Sequence, residues 1–328
     1  MKKAKRNSIL LLATFVLCGF IPDCVGAQAA GVGEKAILGV PSPALSMLPV
    51  FIAQDRGFFK KEGIEPVIVT MGGRLQALAL ASGEIDYTAS VETALRAAIQ
   101  GMPFKVVVYM SAKMSVLLVT APDIRSVADL RGRTIAVTSL GGGLEYALRE
   151  ILVKKGGLNP DREVRIVDLS MTDQMAGLVS GSLQGAMLVP PFDSIMVKKG
   201  FRSLVFAGDF LDFPQGGLAT TDKKIKERPA QVKKIVRAVV SSLMHIRENR
   251  DETVSYIANR WKIDTGLAAA SYETMVKSFS PDGTASPQSI QNVIDSTRAR
   301  LKLQRPVAIS EIVNLSLVEE VHREMGIK

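Results

Sequence analysis

The sequence predicts an α/β protein with two α/β lobes, a hinge between them and a helical carboxyl-terminal tail. Short apolar runs alternate with longer helical patterns, as βαβ units and a largely parallel sheet require. This alternation restarts after about residue 120, and from residue 229 onward the pattern is almost wholly helical. A chain of 328 residues also has the length of two ordinary domains.

The composition argues against several functional classes. The chain is 47% hydrophobic and 22% charged, which is ordinary globular usage. Aromatic residues make up only 5%, which argues against a stacking surface for single-stranded nucleic acid, and we expect no nucleic-acid partner. The two histidines, His245 and His322, lie far apart, and both cysteines, Cys18 and Cys24, fall near the start. We therefore expect no metal site, no disulfide framework, no cysteine nucleophile and no cofactor.

The amino terminus has the pattern of a secretory signal peptide. Lys2, Lys3, Lys5 and Arg6 precede an apolar run over 9–21, and small residues follow. We expect a signal peptide over 1–27, with a cut after Ala27 or Ala29, and export to a periplasm. A membrane anchor is the alternative, but the run is shorter than the roughly 20 residues of a comfortable span.

The first lobe is predicted from apolar runs that are separated by glycine-terminated helical patterns. Its predicted strands cover 35–40, 66–70, 85–89, 104–110 and 115–120. Its predicted helices cover 45–61, 74–82 and 92–99.

The second lobe repeats the same alternation. Its predicted strands cover 134–138, 163–169, 186–189 and 203–206, and its predicted helices cover 144–155, 173–180 and 192–199. A return strand is predicted over 217–221. The tail helices are predicted over 229–249, 251–260, 266–278, 286–301 and 309–325.

This order predicts two crossings between the lobes. Lobe 1 would comprise 34–120 and 217–328, and lobe 2 would comprise 121–216. Two crossings between rigid lobes form a hinge with a cleft, and clefts between domains are a favoured place for small ligands.

Four stretches in order carry a resemblance to a known family. They are MLPVFIAQDRGFFKKEGI at 47–64, LASGEIDY at 80–87, DLRGRTIAV at 129–137 and LVSGSLQGA at 178–186. The chain resembles the substrate-binding proteins of ABC importers of the sulfonate, nitrate and taurine type, a family that includes the domain shared with thiamine-pyrimidine synthesis enzymes. The fourth stretch departs from the family pattern, because no aspartate stands between Gly185 and the apolar strand residues.

The resemblance implies the fold of a type II periplasmic binding protein. It also implies a monomeric, non-enzymatic receptor that takes a small ligand to an ABC permease and its cytoplasmic ATPase. The family's ligands include sulfonates, nitrate, taurine, pyrimidines and aromatic carboxylates. An exported enzyme or a sensor module on the same fold is the alternative, since a fold does not fix a function.

Candidate ligand contacts in the first lobe follow its strands, because ligands of open α/β sheets sit outside the carboxyl ends of the strands. Ser42 and Ser46 follow the first strand and offer hydroxyls, although each would also suit a helix N-cap. Ser90 follows the third strand, and Tyr109 ends the fourth. Glu92 lies in the first turn of a predicted helix, where an acidic side chain complements the helix dipole. The alternative is that it pairs with a positively charged group of the ligand.

A second group in the first lobe suits an anion. Gly72 and Gly73 precede a helix whose first amides favour negative charge. Arg74 adds a guanidinium that fits a carboxylate or sulfonate, and its alternative is a solvated side chain. These residues, with the glycines of the second lobe, favour a small anionic organic ligand.

In the second lobe the strongest candidate is the loop that follows the strand at 134–138. Ser139, Gly141, Gly142 and Gly143 combine a hydroxyl with backbone that can approach a ligand closely. The resemblance implies that this loop holds the acidic group of the substrate. The alternative is a loop that needs its glycines only for positive φ angles, and no Walker lysine follows.

The last candidates follow the next strand and the return crossing. Pro191 and Phe192 are expected to form an apolar wall of the cleft. The segment at 215–217 carries two glycines, which suit a hinge. No catalytic residue is predicted.

Overall fold

The computed structural model describes residues 33–138, 140 and 143–327. The predicted signal peptide, with its cut, lies outside these residues. The strands, in chain order, are β1 (Glu34–Val40), β2 (Ile64–Thr70), β3 (Tyr87–Thr88), β4 (Phe104–Ser111), β5 (Leu117–Thr120), β6 (Thr134–Val137), β7 (Arg165–Asp168), β8 (Gly185–Leu188), β9 (Arg202–Phe206) and β10 (Gly216–Thr221).

The helices lie between these strands and in the tail. They are α1 (Leu48–Asp55), α2 (Phe58–Lys61), α3 (Gly73–Ser82), α4 (Val91–Ile99), α5 (Gly143–Gly156), α6 (Met171–Ser180), α7 (Phe192–Lys198), α8 (Asp222–Glu227), α9 (Pro229–Glu248), α10 (Arg250–Trp261), α11 (Thr265–Ser278), α12 (Pro287–Leu301), α13 (Ile309–Ile312) and α14 (Ser316–Met325). Short 3-10 turns cover Leu45–Met47, Val127–Leu130 and Ala207–Asp209.

The strands form two five-stranded sheets, which confirms the predicted α/β class. The first sheet has the order β2-β1-β3-β10-β4, and the second has the order β7-β6-β8-β5-β9. In each sheet the fourth strand is antiparallel to both of its neighbours. That strand is β10 in the first sheet and β5 in the second, so each sheet receives its antiparallel strand from a chain crossing.

The first crossing comes earlier than predicted. Residues 115–120 were expected to end lobe 1, but β5 pairs with β8 and β9 in the second sheet. Apolar character alone does not reveal which sheet a strand joins, because a buried strand has the same pattern in either. The chain therefore passes between the sheets at 112–116 and returns at 207–215.

Helix boundaries also differ from the prediction where backbone geometry intervenes. The helix expected over 45–61 is broken into a 3-10 turn, α1 and α2, because Gly57 adopts a φ of 73° at the junction of the two helices. The last tail helix, expected over 309–325, is divided into α13 and α14. Helix α8 was not predicted.

The core lies on both faces of each sheet. On the first sheet, α1, α2, α9, α10, α11 and α14 cover one face, and α3, α4, α12 and α13 cover the other. The second sheet is packed between α5 on one face and α6 with α7 on the other. All described residues belong to one compact unit. None of the helices in the described part of the chain combines the length and the apolar character needed to cross a bilayer.

The parallel pairing of β1 with β3 in the first sheet is repeated by β6 and β8 in the second. Leu38 and Gly39 pair with Tyr87 and Thr88 in the first sheet, and Ile135 and Ala136 pair in the same parallel manner with Gly185 and Ala186 in the second.

A buried glutamine follows the outer strand of each sheet. The Nε2 of Gln76 on α3 donates to the Met71 carbonyl at 2.7 Å, and the Nε2 of Gln174 on α6 donates to the Leu169 carbonyl at 2.9 Å. Each glutamine thus fixes the loop between a strand and a helix.

Candidate functional site

A cavity of about 770 Å³ opens between the two sheets, at the carboxyl ends of their strands. Its lining contains residues that directly follow β1, β3, β6 and β8, together with both crossings and α11. These residues are Pro41, Ala44, Ser46, Met47, Gly73, Ala89, Ser90, Val91, Glu92, Thr93, Ser111, Ser115, Thr138, Val189, Pro190, Gln215, Gly216 and Met275. The cavity thus lies where the rule for open α/β sheets places a ligand.

Three predicted contacts, Ser46, Gly73 and Ser90, lie on this lining. Ser46 does not act as a helix N-cap, because Ala44 occupies that position. Ser90 precedes α4, but its side chain accepts no hydrogen bond from the helix. The buried Ser90 Oγ has no partner among the described residues. The N-cap alternative given for Ser46 is therefore not realised, and the hydroxyl of Ser90 does not cap its helix either.

Gly73 is required by close packing in the cavity wall. A Cβ added there would lie 2.9 Å from the Thr93 Oγ1 and 3.2 Å from the Ser90 Oγ. Both neighbours also line the cavity. Any larger residue at position 73 would displace the wall.

Four predicted residues of the first lobe lie off the lining. Ser42 and Gly72 lie in the loops beside it. Arg74 is exposed on the first turn of α3, because Gln76 occupies the inward face of that turn. Tyr109 is fully buried in the core between β4 and the helices, where burial raises the pKa of its hydroxyl.

None of the second-lobe candidates among the described residues lies on the lining of the cavity. Ser139, Gly141 and Gly142 lie outside the described residues. Gly143 lines an adjacent groove of about 440 Å³ rather than the cavity. Pro191 is buried, and Phe192 packs against the core of the second lobe, so neither supplies the expected apolar wall.

The apolar wall comes from residues that the sequence analysis did not select: Met47, Val91, Val189, Pro190 and Met275. Met275 belongs to the tail helix α11, and nothing in the sequence pattern connected the tail with the cleft. Thr138 directly follows β6 and Val189 directly follows β8, positions that the strand-end rule could have identified.

A network of buried hydrogen bonds fixes the position of the Ser90 loop. Gln76, which is fully buried, accepts hydrogen bonds at Oε1 from the Thr88 hydroxyl at 2.6 Å and from the Ser90 amide at 3.3 Å. The Ser90 amide also donates to the Thr88 Oγ1 at 3.1 Å. Gln76 is therefore a positioning residue for the cavity, and the sequence shows it only as a polar residue within a helical pattern.

Trp261 fixes the loop after β1 through a hydrogen bond. The indole Nε1 of this residue donates to the Pro43 carbonyl at 2.8 Å, and its ring lies 6.2 Å from the ring of Phe51. Pro43 lies between the lining residues Pro41 and Ala44, so the end of α10 fixes this part of the cavity wall.

The charge on the lining is negative. Glu92 is the only described lining residue with a formal charge, and its Oε1 accepts a 3.3 Å hydrogen bond from Arg96. Partial desolvation and the nearby Arg96 lower the pKa of Arg300, an exposed residue on α12, while Glu92 acts in the opposite direction. Among the described residues no group of three or more metal-ligating side chains is arranged to hold a metal ion.

A second groove, of about 410 Å³, lies between α7 of the second lobe and α11 of the tail. Lys198 and Asp264 join the two helices through a 2.8 Å ion pair. Asp193 also lines this groove but is only 3% exposed, and its Oδ1 has no partner among the described residues. Burial raises the pKa of Asp193 to about 6.

Solved structures show the same architecture. The periplasmic sulfonate-binding protein SsuA of Methylobacillus flagellatus superposes with a TM-score of 0.74 at 17% identity, over 90% of this chain and 96% of that chain. The desulfurization enzyme DSZB superposes with a TM-score of 0.65 at 16% identity, over 89% of this chain and 99% of its own. The fold is therefore that of periplasmic binding proteins, and it also occurs in an enzyme.

Sequence comparison gives the family. The riboflavin-binding protein RibY of Chloroflexus aurantiacus is 26% identical over 219 residues, which cover 64% of this chain and 61% of RibY. The chain thus spans less than two thirds of that relative. A family model described as "NMT1/THI5 like" matches residues 45–253, more than half of the chain. The protein therefore belongs to the NMT1/THI5-like family.

Proposed function

We propose that the protein is a solute-binding receptor that captures a small organic ligand between its two lobes and delivers it to an ABC permease. The observation that carries this proposal is the cavity of about 770 Å³, to which both sheets and both crossings contribute lining residues. A ligand held there touches both lobes, so it can favour the closed arrangement through contacts that the open one lacks.

The two crossings are suited to a hinge. The Gln215 amide donates to the Ser111 carbonyl at 3.3 Å, and the Ala112 and Lys113 amides both donate to the Ser278 carbonyl. The crossings are thus tied to each other and to the tail at the floor of the cavity. We propose that lobe 1 comprises the first sheet and the tail, and that lobe 2 comprises the second sheet and rotates about this floor.

The names of similar proteins support a transport role. One solved relative of this fold is named a periplasmic sulfonate-binding protein, and the curated relative RibY is named a riboflavin-binding protein. Together with the signal-like pattern at the amino terminus, they support a periplasmic location. The partners would be an ABC permease and its ATPase, and the receptor would act as a monomer.

The lining also supports binding rather than catalysis. General acid–base catalysis uses positioned groups that exchange protons, and the described lining offers Glu92 as its only ionisable side chain. DSZB shows that the fold can carry an enzyme, so an exported enzyme is the alternative.

The proposal is tested by isothermal titration and native mass spectrometry of the purified protein with small organic anions. We expect one ligand per chain, released unchanged after denaturation. Conversion of a bound compound into a product would instead support the enzyme.

A further inference from the structure

The described lining of the cavity has an unusual polar composition. It offers six hydroxyl groups and the amide of Gln215, but no arginine, lysine or histidine and no aromatic ring. Residues 139, 141 and 142, which lie outside the described residues, are serine and glycine in the sequence and carry no charged side chain. The predicted cation, Arg74, is exposed and lies off the lining. The described lining therefore presents one formal charge to a ligand, the carboxylate of Glu92.

Glu92 lies where the two lobes approach each other. It lines the main cavity and also the adjacent groove of about 440 Å³. Its Oε2 is 3.1 Å from the position that a Cβ on Gly143 would occupy, so it faces the start of α5 in the second lobe. The side chain remains 39% exposed. A ligand in the cavity can therefore reach this carboxylate.

Two cations lie near Glu92 without lining the cavity: Arg96 on the same helix, and Arg300 on α12 across the adjacent groove. Arg96, one turn along α4, is 3.3 Å from the Glu92 Oε1, and both side chains are 39% exposed. Exposed pairs of this kind contribute little to stability, because solvent screens them and both side chains lose entropy. Arg96 does not line the cavity. A positive group inside the cavity could thus share the carboxylate at little cost.

We propose that the ligand carries a protonated nitrogen, as an ammonium or amidinium group, that pairs with Glu92. This inference rests on the proposed function and names the substrate class of the same cavity. The Ser90 Oγ, which lies two residues away without a partner, supplies a further acceptor. Gly73 and Val91, the first residues of α3 and α4, line the cavity, and the amino-terminal ends of these helices favour an anionic group at the other end of the ligand. Glu92 is thus the residue that selects compact, non-aromatic amino or amidino compounds over their deaminated analogues.

The test compares matched probes that differ only in the nitrogen. The pairs are 2-aminoethanesulfonate with ethanesulfonate, 3-aminopropanoate with propanoate, and 4-aminobutanoate with butanoate, each titrated calorimetrically. We expect at least one amine to bind about tenfold or more tightly than its partner, in line with the effect of a missing charge partner. The preference should disappear in Glu92→Gln. The control Glu150→Gln, which breaks an equivalent ion pair with Lys154 outside the cavity, should retain it.

A second variant separates recognition from folding. Arg96→Gln removes one competing cation without touching the lining, so amine binding should be retained or strengthened. Weaker amine binding in Arg96→Gln, or an amine preference that survives Glu92→Gln, overturns the inference.

Failure of the inference is distinguishable from failure of the proposed function. If deaminated anions bind as tightly as amines, the receptor stands and the inference is wrong. If none of the six probes binds, the compound released from the purified protein by denaturation is identified by mass spectrometry. A released compound with a basic nitrogen supports the inference, and any other outcome of that analysis overturns it.

Discussion

The hydroxyl of Thr88 donates a 2.6 Å hydrogen bond to the Oε1 of Gln76, and the second sheet lacks this bond. By strand register, Ala186 occupies in the second sheet the position of Thr88 in the first. The Oε1 of Gln174 is accordingly buried without a partner among the described residues. A buried acceptor that loses its partner costs about 1–3 kcal/mol.

Ala186→Ser is therefore expected to stabilise the protein. The new hydroxyl would lie in the direction of the Gln174 Oε1 and should raise the free energy of unfolding by about 1 kcal/mol. Thr88→Ala removes the bond in the first sheet and should lower it by about 1–2 kcal/mol. Urea denaturation measures both. A destabilising Ala186→Ser would show that the two sheets are not equivalent at this position.

Trp261 should report on ligand binding. It is the only tryptophan, and its 2.8 Å bond to the Pro43 carbonyl links it to the loop that lines the cavity. A ligand that reorders this loop is expected to change the intrinsic fluorescence of Trp261. Trp261→Phe keeps the ring packing but loses the bond, and should weaken ligand binding several-fold, an effect of about 1 kcal/mol. Unchanged affinity in this variant would show that the bond does not position the loop.

Asp193 should make stability fall as pH rises. Its pKa in the folded state, about 6, lies above the ordinary value near 4, so the unfolded state loses its proton first on raising the pH. The cost of keeping this carboxyl buried is absent below about pH 4 and complete above about pH 6, where it reaches at most about 3 kcal/mol.

Asp193→Asn should consequently raise the free energy of unfolding at about pH 7.5 by about 1–3 kcal/mol and leave it nearly unchanged at about pH 4. Asp123→Asn, at an exposed position, is the matched control and should show no such dependence. Chemical denaturation at the two pH values provides the measurement. An equal effect of Asp193→Asn at both pH values contradicts the account.

Riboflavin is not expected to bind, although the relative RibY is named for it. The described lining has no aromatic ring on which an isoalloxazine could stack, and its apolar wall comes from methionine, valine and proline. Flavin fluorescence should be unquenched on titration with the protein. Stoichiometric quenching would show that the cavity accepts a large aromatic ligand by other means.

The sequence predicted the order of strands and helices well, because runs of buried residues and glycine stops are local signals. The sequence did not predict that β5 joins the second sheet, because its pairing with β8 and β9 involves residues far apart along the chain. The site was predicted in part. Strand-end serines such as Ser46 and Ser90 follow from a topological rule, whereas the outward direction of Arg74 depends on how α3 packs.

Contributions from distant segments could not be predicted from local pattern at all. Met275 reaches the cavity from a tail helix that the sequence gives no reason to place there. Tyr109 lies two residues before the end of β4, and its ring is enclosed by core residues from α4 and α12. The loop candidates Ser139, Gly141 and Gly142 stay predictions.

Gly73 offers the most direct test of where the ligand lies. A Cβ at this position would meet the Thr93 Oγ1 at 2.9 Å, so Gly73→Val should fill part of the cavity without entering the core. Its matched control is Gly72→Val, one residue earlier and off the lining, where an added Cβ meets open space.

The measurement we would place first is the thermal stability of the wild type and these two variants against a panel of small anions, amino sulfonates and amino carboxylates. A ligand at a hundred times its dissociation constant should stabilise the wild type and Gly72→Val by about 2.7 kcal/mol. The account predicts that Gly73→Val folds but loses this stabilisation. An equal stabilisation of Gly73→Val would contradict the placement of the ligand in the cavity between the two sheets.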